Sequence, residues 1–114
     1  MGKPVVHFEI LGQDRVKTQG FYSSLFGWKI SDDNPHEYGM VETGGEGGIN
    51  GGIAKSDDGA HVLVYVQVDD PQAYLDKAES LGGKILMPVT EIPNVVTLAQ
   101  FVDPDGNRVG LIKG

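Results

Sequence analysis

VVHFEILGQDRVKTQGFYSSLFGW, residues 5–28, decides the fold. It opens with a two-residue period. Val6, Phe8 and Ile10 fall on one face of an extended segment, His7 and Glu9 on the other. Asp14 then offers a side-chain oxygen to free backbone N–H groups, as a helix N-cap does. The helix it starts carries Val16, Phe21, Tyr22 and Leu25, and Gly27 supplies the left-handed residue that ends it. Trp28 and Ile30 open another strand. The segment reads as strand, helix, strand, with the helix on the Val6/Phe8/Ile10 face. The opposite face displays an imidazole and a carboxylate, which a core does not select.

The same layout returns in HVLVYVQVDDPQAYLDKAESLGGKI, residues 61–85. Val62, Val64, Val66 and Val68 form the face expected under a helix; His61, Leu63, Tyr65 and Gln67 form the other. Asp70 is the expected N-cap, and Pro71 takes the first helical position, where its missing N–H costs nothing. Tyr74, Leu75, Ala78 and Leu81 give the apolar stripe, and Gly82-Gly83 stops the helix. An offset of 56 residues relates His7 to Leu63, Asp14 to Asp70 and Gly27 to Gly83. Two copies suggest a paired module rather than a solenoid.

Further strands are expected at residues 38–43, 49–55, 84–90, 95–102 and 108–112, with SDDG at 56–59 as the connector. DPDGN at 103–107 has the residues of a tight turn. The reading is two β-α-β-β-β modules, about residues 5–55 and 61–113, in one α+β domain over 1–114. A curved mixed sheet wraps a cleft, with the helices outside. The expected ligand cleft is lined by His7, Glu9, Asn50, Gly52, His61, Leu63, Tyr65, Gln67 and Gly110.

Bulk properties narrow the function. The net charge of −7 argues against nucleic acid, which needs a basic face. It suits a cationic small ligand, or simply keeps the domain dispersed. The absence of cysteine excludes disulfides and thiolate chemistry and fits a reducing cytoplasm. No apolar run is long enough for a signal peptide or a membrane span. Met1–Gly2 opens like an acylation site, but Val6 stands where Ser or Thr is needed. The glycine-rich stretch GGEGGINGG, residues 44–52, lacks the Lys-Ser/Thr and helix start of a phosphate loop. DPDG lacks the spaced acids of a calcium loop. Trp28 and Tyr65 offer rings for a planar ligand; Trp28 equally suits a core. No serine or cysteine nucleophile motif is present.

The HFEI start, the FYSSLFGW helix end, the VDDP helix entry and the FVDPDGNRVGLI tail resemble the vicinal oxygen chelate superfamily, which includes glyoxalase I, bleomycin-resistance proteins and extradiol dioxygenases. The resemblance covers nearly the whole chain and implies the paired-module fold. It does not imply one reaction, because folds host many chemistries. Metal-using members bind a divalent cation through four cleft positions. By resemblance these fall on His7, Gly52, Leu63 and Gly110. Leucine and glycine side chains have no electron pair to donate, and one imidazole does not hold a cation against water. The expectation is therefore a small-molecule-binding protein that has lost the chelate, with no metal and no other cofactor. The alternative is a lyase- or isomerase-type enzyme, metal-independent or using an unconventional metal site, with His7 and Glu9 as acid–base residues. Whether any reaction is catalysed stays open. His7 has three readings: a vestigial ligand, a base, or a cleft residue with a backbone hydrogen bond. A rearranged site from His7, Glu9 and His61 is a further option. The resemblance also implies a homodimer.

Overall fold

A computed structural model describes residues 2–114; Met1, the first residue of the acylation-like pair, lies outside the described residues. The chain divides into two compact units, an N-terminal one, His7–Leu63, and a C-terminal one made of Met1–Val6 and Val64–Gly114. In chain order the elements are β1 (Val5–Gly12), α1 (Arg15–Phe26), β2 (Lys29–Ser31), β3 (Gly39–Glu42) and β4 (Gly51–Lys55). Then follow β5 (His61–Val68), α2 (Pro71–Ser80), β6 (Lys84–Ile92), β7 (Val96–Val102) and β8 (Arg108–Lys113). The strand order is β2-β3-β4-β1 in the N-terminal unit and β5-β8-β7-β6 in the C-terminal unit. In each, the first and last strands pair in parallel and the other pairings are antiparallel. The expected α+β class, with mixed sheets and two β-α-β-β-β runs, is what the chain adopts.

Local chemistry explains the elements. Asp14 accepts from the Lys17 backbone N–H at 3.1 Å and Asp70 from that of Ala73 at 3.3 Å, so both helices start on the expected caps. The helix ends differ. Gly27 closes α1 at φ 72°, but in the second copy the left-handed residue is Gly82, at φ 99°, not Gly83. The second helix ends at Ser80, two residues short of the counterpart of Phe26, which breaks the offset of 56 at that point.

The apolar faces also differ from expectation. In β5, Val62 is 62% and Val64 37% exposed, whereas Leu63 and Tyr65 are 3% exposed. Helix α2 has ten residues, a length of ~15 Å, and the cluster around it takes in only the Val66–Val68 end of the strand. That cluster is Val68, Leu75, Ala99 and Leu111, with Val66, Tyr74 and Phe101 against it. Helix α1 buries no residue fully, and Val16, Phe21 and Leu25 point to solvent. It meets its sheet at glycines instead. Thr18 lies against Gly12 and Gln19 against Gly39. Glycine lets the helix approach on its small polar stripe, leaving the larger residues on its flanks.

Candidate functional site

One face of β1 carries His7 and Glu9, two residues apart, and a third side chain joins them. The Tyr38 hydroxyl lies 2.9 Å from His7 Nε2 and donates to Glu9 Oε2 at 2.8 Å. A phenol has one proton, and a carboxylate only accepts, so that proton belongs to Glu9. His7 Nε2 must then carry its own hydrogen and donate to the Tyr38 oxygen. Burial holds the His7 pKa below its ordinary value, because the charged ring loses water. A neutral imidazole protonated on Nε2, a phenol and a carboxylate therefore form one chain of hydrogen bonds.

Tyr38 is held on both sides. Asn34 Oδ1 accepts from its backbone N–H at 3.1 Å, and Asn34 Nδ2 donates to its carbonyl at 2.8 Å. Arg15 donates to Asp32 at 2.6 Å, tying the start of the same loop to α1. The polar loop between β2 and β3 thus aims one aromatic side chain. The ring lands on Gly52, where any Cβ would collide with the Tyr38 ring and hydroxyl. Gly52 pairs with Met40 across β3 and with Glu9 across β1, so all three share one sheet face. On the other face of β4, the Phe8 ring covers Gly51 in the same way.

The C-terminal unit repeats the device. Tyr65 and Gly110 are direct partners across β5 and β8, and the Tyr65 ring occupies the space of a Gly110 side chain. Gln100 donates to the Tyr65 hydroxyl at 2.9 Å. In both units an aromatic ring fills the hole that a strand glycine leaves.

The other sequence candidates fall as follows. Asn50 accepts from the Thr43 N–H at 3.1 Å and, with His7 and Met40, lines a pocket of about 420 Å³ in the N-terminal unit. His61 donates from Nδ1 to the Gly59 carbonyl at 2.9 Å. Leu63 is buried. The Gln67 N–H donates to the Pro4 carbonyl at 2.9 Å. Trp28 is packing rather than a ligand platform: it stacks on Tyr22 at 5.4 Å and leans on Phe26 and Phe8. Among the described residues, no three His, Cys, Asp or Glu side chains come together as a cation site. Tyr38 and Gln100 escaped the sequence reading. The signal for Tyr38 was parity, since it stands two residues before Met40, the partner of Gly52.

Comparison with known proteins adds to this geometry. The profile of the Glyoxalase/Bleomycin resistance protein/Dioxygenase superfamily matches residues 5–111. A Mycobacterium bovis protein named "Putative glyoxylase CFP32" is 35% identical over 109 residues, 86% of this chain and 41% of that protein. The chain thus spans well under half the length of the curated relatives it matches. Among solved structures, methylmalonyl-CoA epimerase from Mycobacterium tuberculosis superposes with a TM-score of 0.70 at 12% identity, covering 96% of this chain and 86% of that one. A superfamily member from Vibrio splendidus 12B01 gives 0.66 at 18% identity, covering 99% and 100%. At such identities these two likenesses show the fold alone.

Proposed function

The chain belongs to the Glyoxalase/Bleomycin resistance protein/Dioxygenase superfamily, and we propose that it binds a small molecule on the His7/Glu9 face, with the superfamily's chelate given up. One observation carries this reading. Tyr38 fills the space over Gly52 and engages both polar groups beside it. A cation does not fit such a set. Gly52 brings no donor, and the Tyr38 ring takes the space a donor there would need. In the C-terminal unit Gly110 brings none either, and the Tyr65 ring takes its space. The pocket lined by His7, Met40 and Asn50, about 420 Å³, is within the range of small-ligand sites. Asn50, Glu42 and Lys29 in its lining offer hydrogen bonds and both signs of charge.

Calorimetry on chelator-treated protein, with Zn²⁺ and Mn²⁺ as titrants, tests the loss of the chelate. Weak or no uptake is expected; tight, stoichiometric uptake sinks the reading. A small-ligand library screened by amide chemical shifts tests the binding. Shifts should gather at His7, Met40 and Asn50, and a library that moves none of them argues against a ligand site there.

The hydrogen-bond chain itself favours a second reading, acid–base catalysis by His7 and Glu9 through Tyr38. A neutral imidazole can take a proton near pH 7, and Tyr38 can pass one between the two groups. Epimerisation, named among the structural neighbours, is a reaction of proton removal and return. Deuterium exchange into a bound ligand with an acidic C–H separates the readings. Exchange that is lost in Tyr38→Phe supports catalysis, and binding without exchange leaves a binder. The same proposal has the chain acting as a homodimer in the cytoplasm. Phe21, Leu25 and Phe26 leave the outer flank of α1 apolar, a surface suited to a second copy. No helix among the described residues is long and apolar enough to cross a membrane.

A further inference from the structure

We infer that the C-terminal unit carries a second site, separate from the His7 face, for a flat apolar molecule with a carboxylate. The two units supply each other's control. In the N-terminal unit aromatic rings gather at the end of α1, around Trp28. Trp28 stacks on Tyr22 at 5.4 Å, with Phe26 at 5.1 Å and Phe8 at 5.6 Å from it. The N-caps Asp14 and Asp70 align Tyr22 with Ala78 and Phe8 with Val64. The left-handed glycines Gly27 and Gly82 align Phe26 with Leu81 and Trp28 with Gly83. Of these counterparts Ala78, Leu81 and Gly83 line one pocket, so the places of Tyr22 and Trp28 there hold no ring.

The missing rings leave a pocket of about 380 Å³. Its lining includes Val66, Tyr74, Ala78, Phe101 and Leu111, so its floor is the hydrophobic cluster of the unit itself. That volume suits a small ligand. The chain's own answer to the same space, in the N-terminal unit, is a set of stacked rings. The charges at the pocket select the rest of the ligand. Lys3 and Lys77 contribute to the lining, and among the described residues neither ammonium is in an ion pair. The one acid in the lining, Asp103, is occupied by its own turn. It accepts from the Asp105 and Asn107 N–H groups at 2.9 Å and from Asn107 Nδ2 at 2.8 Å. Two ammonium groups outside any ion pair, beside an acid held by its own turn, favour a carboxylate over an amine.

The probe is 2-naphthoate, titrated into ¹⁵N-labelled full chain and followed by amide shifts. Saturable shifts should appear at Ala78, Gly83, Phe101 and Leu111. Ala78→Tyr restores the residue of the filled unit and should weaken binding at least tenfold. Lys77→Met, on the exposed side of α2, should weaken 2-naphthoate severalfold and leave uncharged 2-naphthol unchanged. Should Ala78→Tyr not fold, the Lys77→Met comparison decides alone. Shifts confined to His7, Met40 and Asn50, or equal binding by Ala78→Tyr, overturn the inference. So do shifts at the pocket that follow protein concentration without ligand, since a second copy would then be its occupant. Failure here leaves the His7 reading untouched, because its own signals are at different residues.

Discussion

Replacing Gly52 by alanine should destabilise the protein far more than one methyl group suggests. The backbone at Gly52 is not in the left-handed region, so alanine is allowed there on conformational grounds. In open space the change would stabilise by ~0.4–1 kcal/mol, by restricting the unfolded chain. Here the new Cβ lands on the Tyr38 ring, and the ring must leave. Overpacking of this kind costs about 1–3 kcal/mol. Losing the hydroxyl's two hydrogen bonds, one to a carboxylate, costs about 1.5–3 kcal/mol more. Allowing for partial relaxation, a net loss of about 2–4 kcal/mol is expected, which for a chain of this size is a fall of about 8–16 °C in Tm. In a Tyr38→Ala background the obstacle is gone, and Gly52→Ala should cost under about 1 kcal/mol. Urea denaturation, read by the fluorescence of Trp28, the only tryptophan, gives all four corners of the cycle. Additive losses within about 0.5 kcal/mol would refute the claim that ring and glycine act as one unit.

Burial lowers the His7 pKa, so the unfolded chain binds that proton more readily. Stability should be whole above the unfolded value of about 6.5, fall as pH drops through it, and level off below the folded value. His7→Gln should flatten that stretch of the stability–pH curve, and equal slopes in the two proteins would contradict it. Val66→Ala should cost about 1–3 kcal/mol in a thermal melt, as Val66 packs on the buried cluster, while exposed Val62→Ala should stay within about 0.5 kcal/mol. The reverse ranking would show that the burial of β5 has been misread. Sedimentation at micromolar concentration should show a dimer that Phe21→Glu weakens, and a monomer alone ends the pairing proposal.

The sequence made the secondary structure legible because its signals are local. Alternation, two aspartate caps and a glycine stop need only a few neighbours each. The repeat then gave the topology, since one strand–helix–strand reading served twice. Burial within β5 was less legible. Four valines in alternation announce an apolar face, but alternation does not say how much of it is covered, and Val62 and Val64 stay exposed. His7 and Glu9 were legible as polar residues on a strand face. Their partner was not, because Tyr38 arrives from 29 residues beyond Glu9 along a loop aimed by Asn34 and Arg15. Glycine at 52 was read as a missing donor. That the Tyr38 ring fills the space beside it is what a one-dimensional pattern does not reveal.

The Gly51-Gly52 pair has a consequence for descent. Phe8 presses on one side of this dipeptide and Tyr38 on the other. A lineage that gains a side chain at 52 must move or shorten residue 38, and one that loses the ring at 38 is free to enlarge 52. Neither change is neutral alone. The two positions should therefore change together across relatives, glycine with a large ring, a larger residue with a small one. The same rule should hold between 110 and 65.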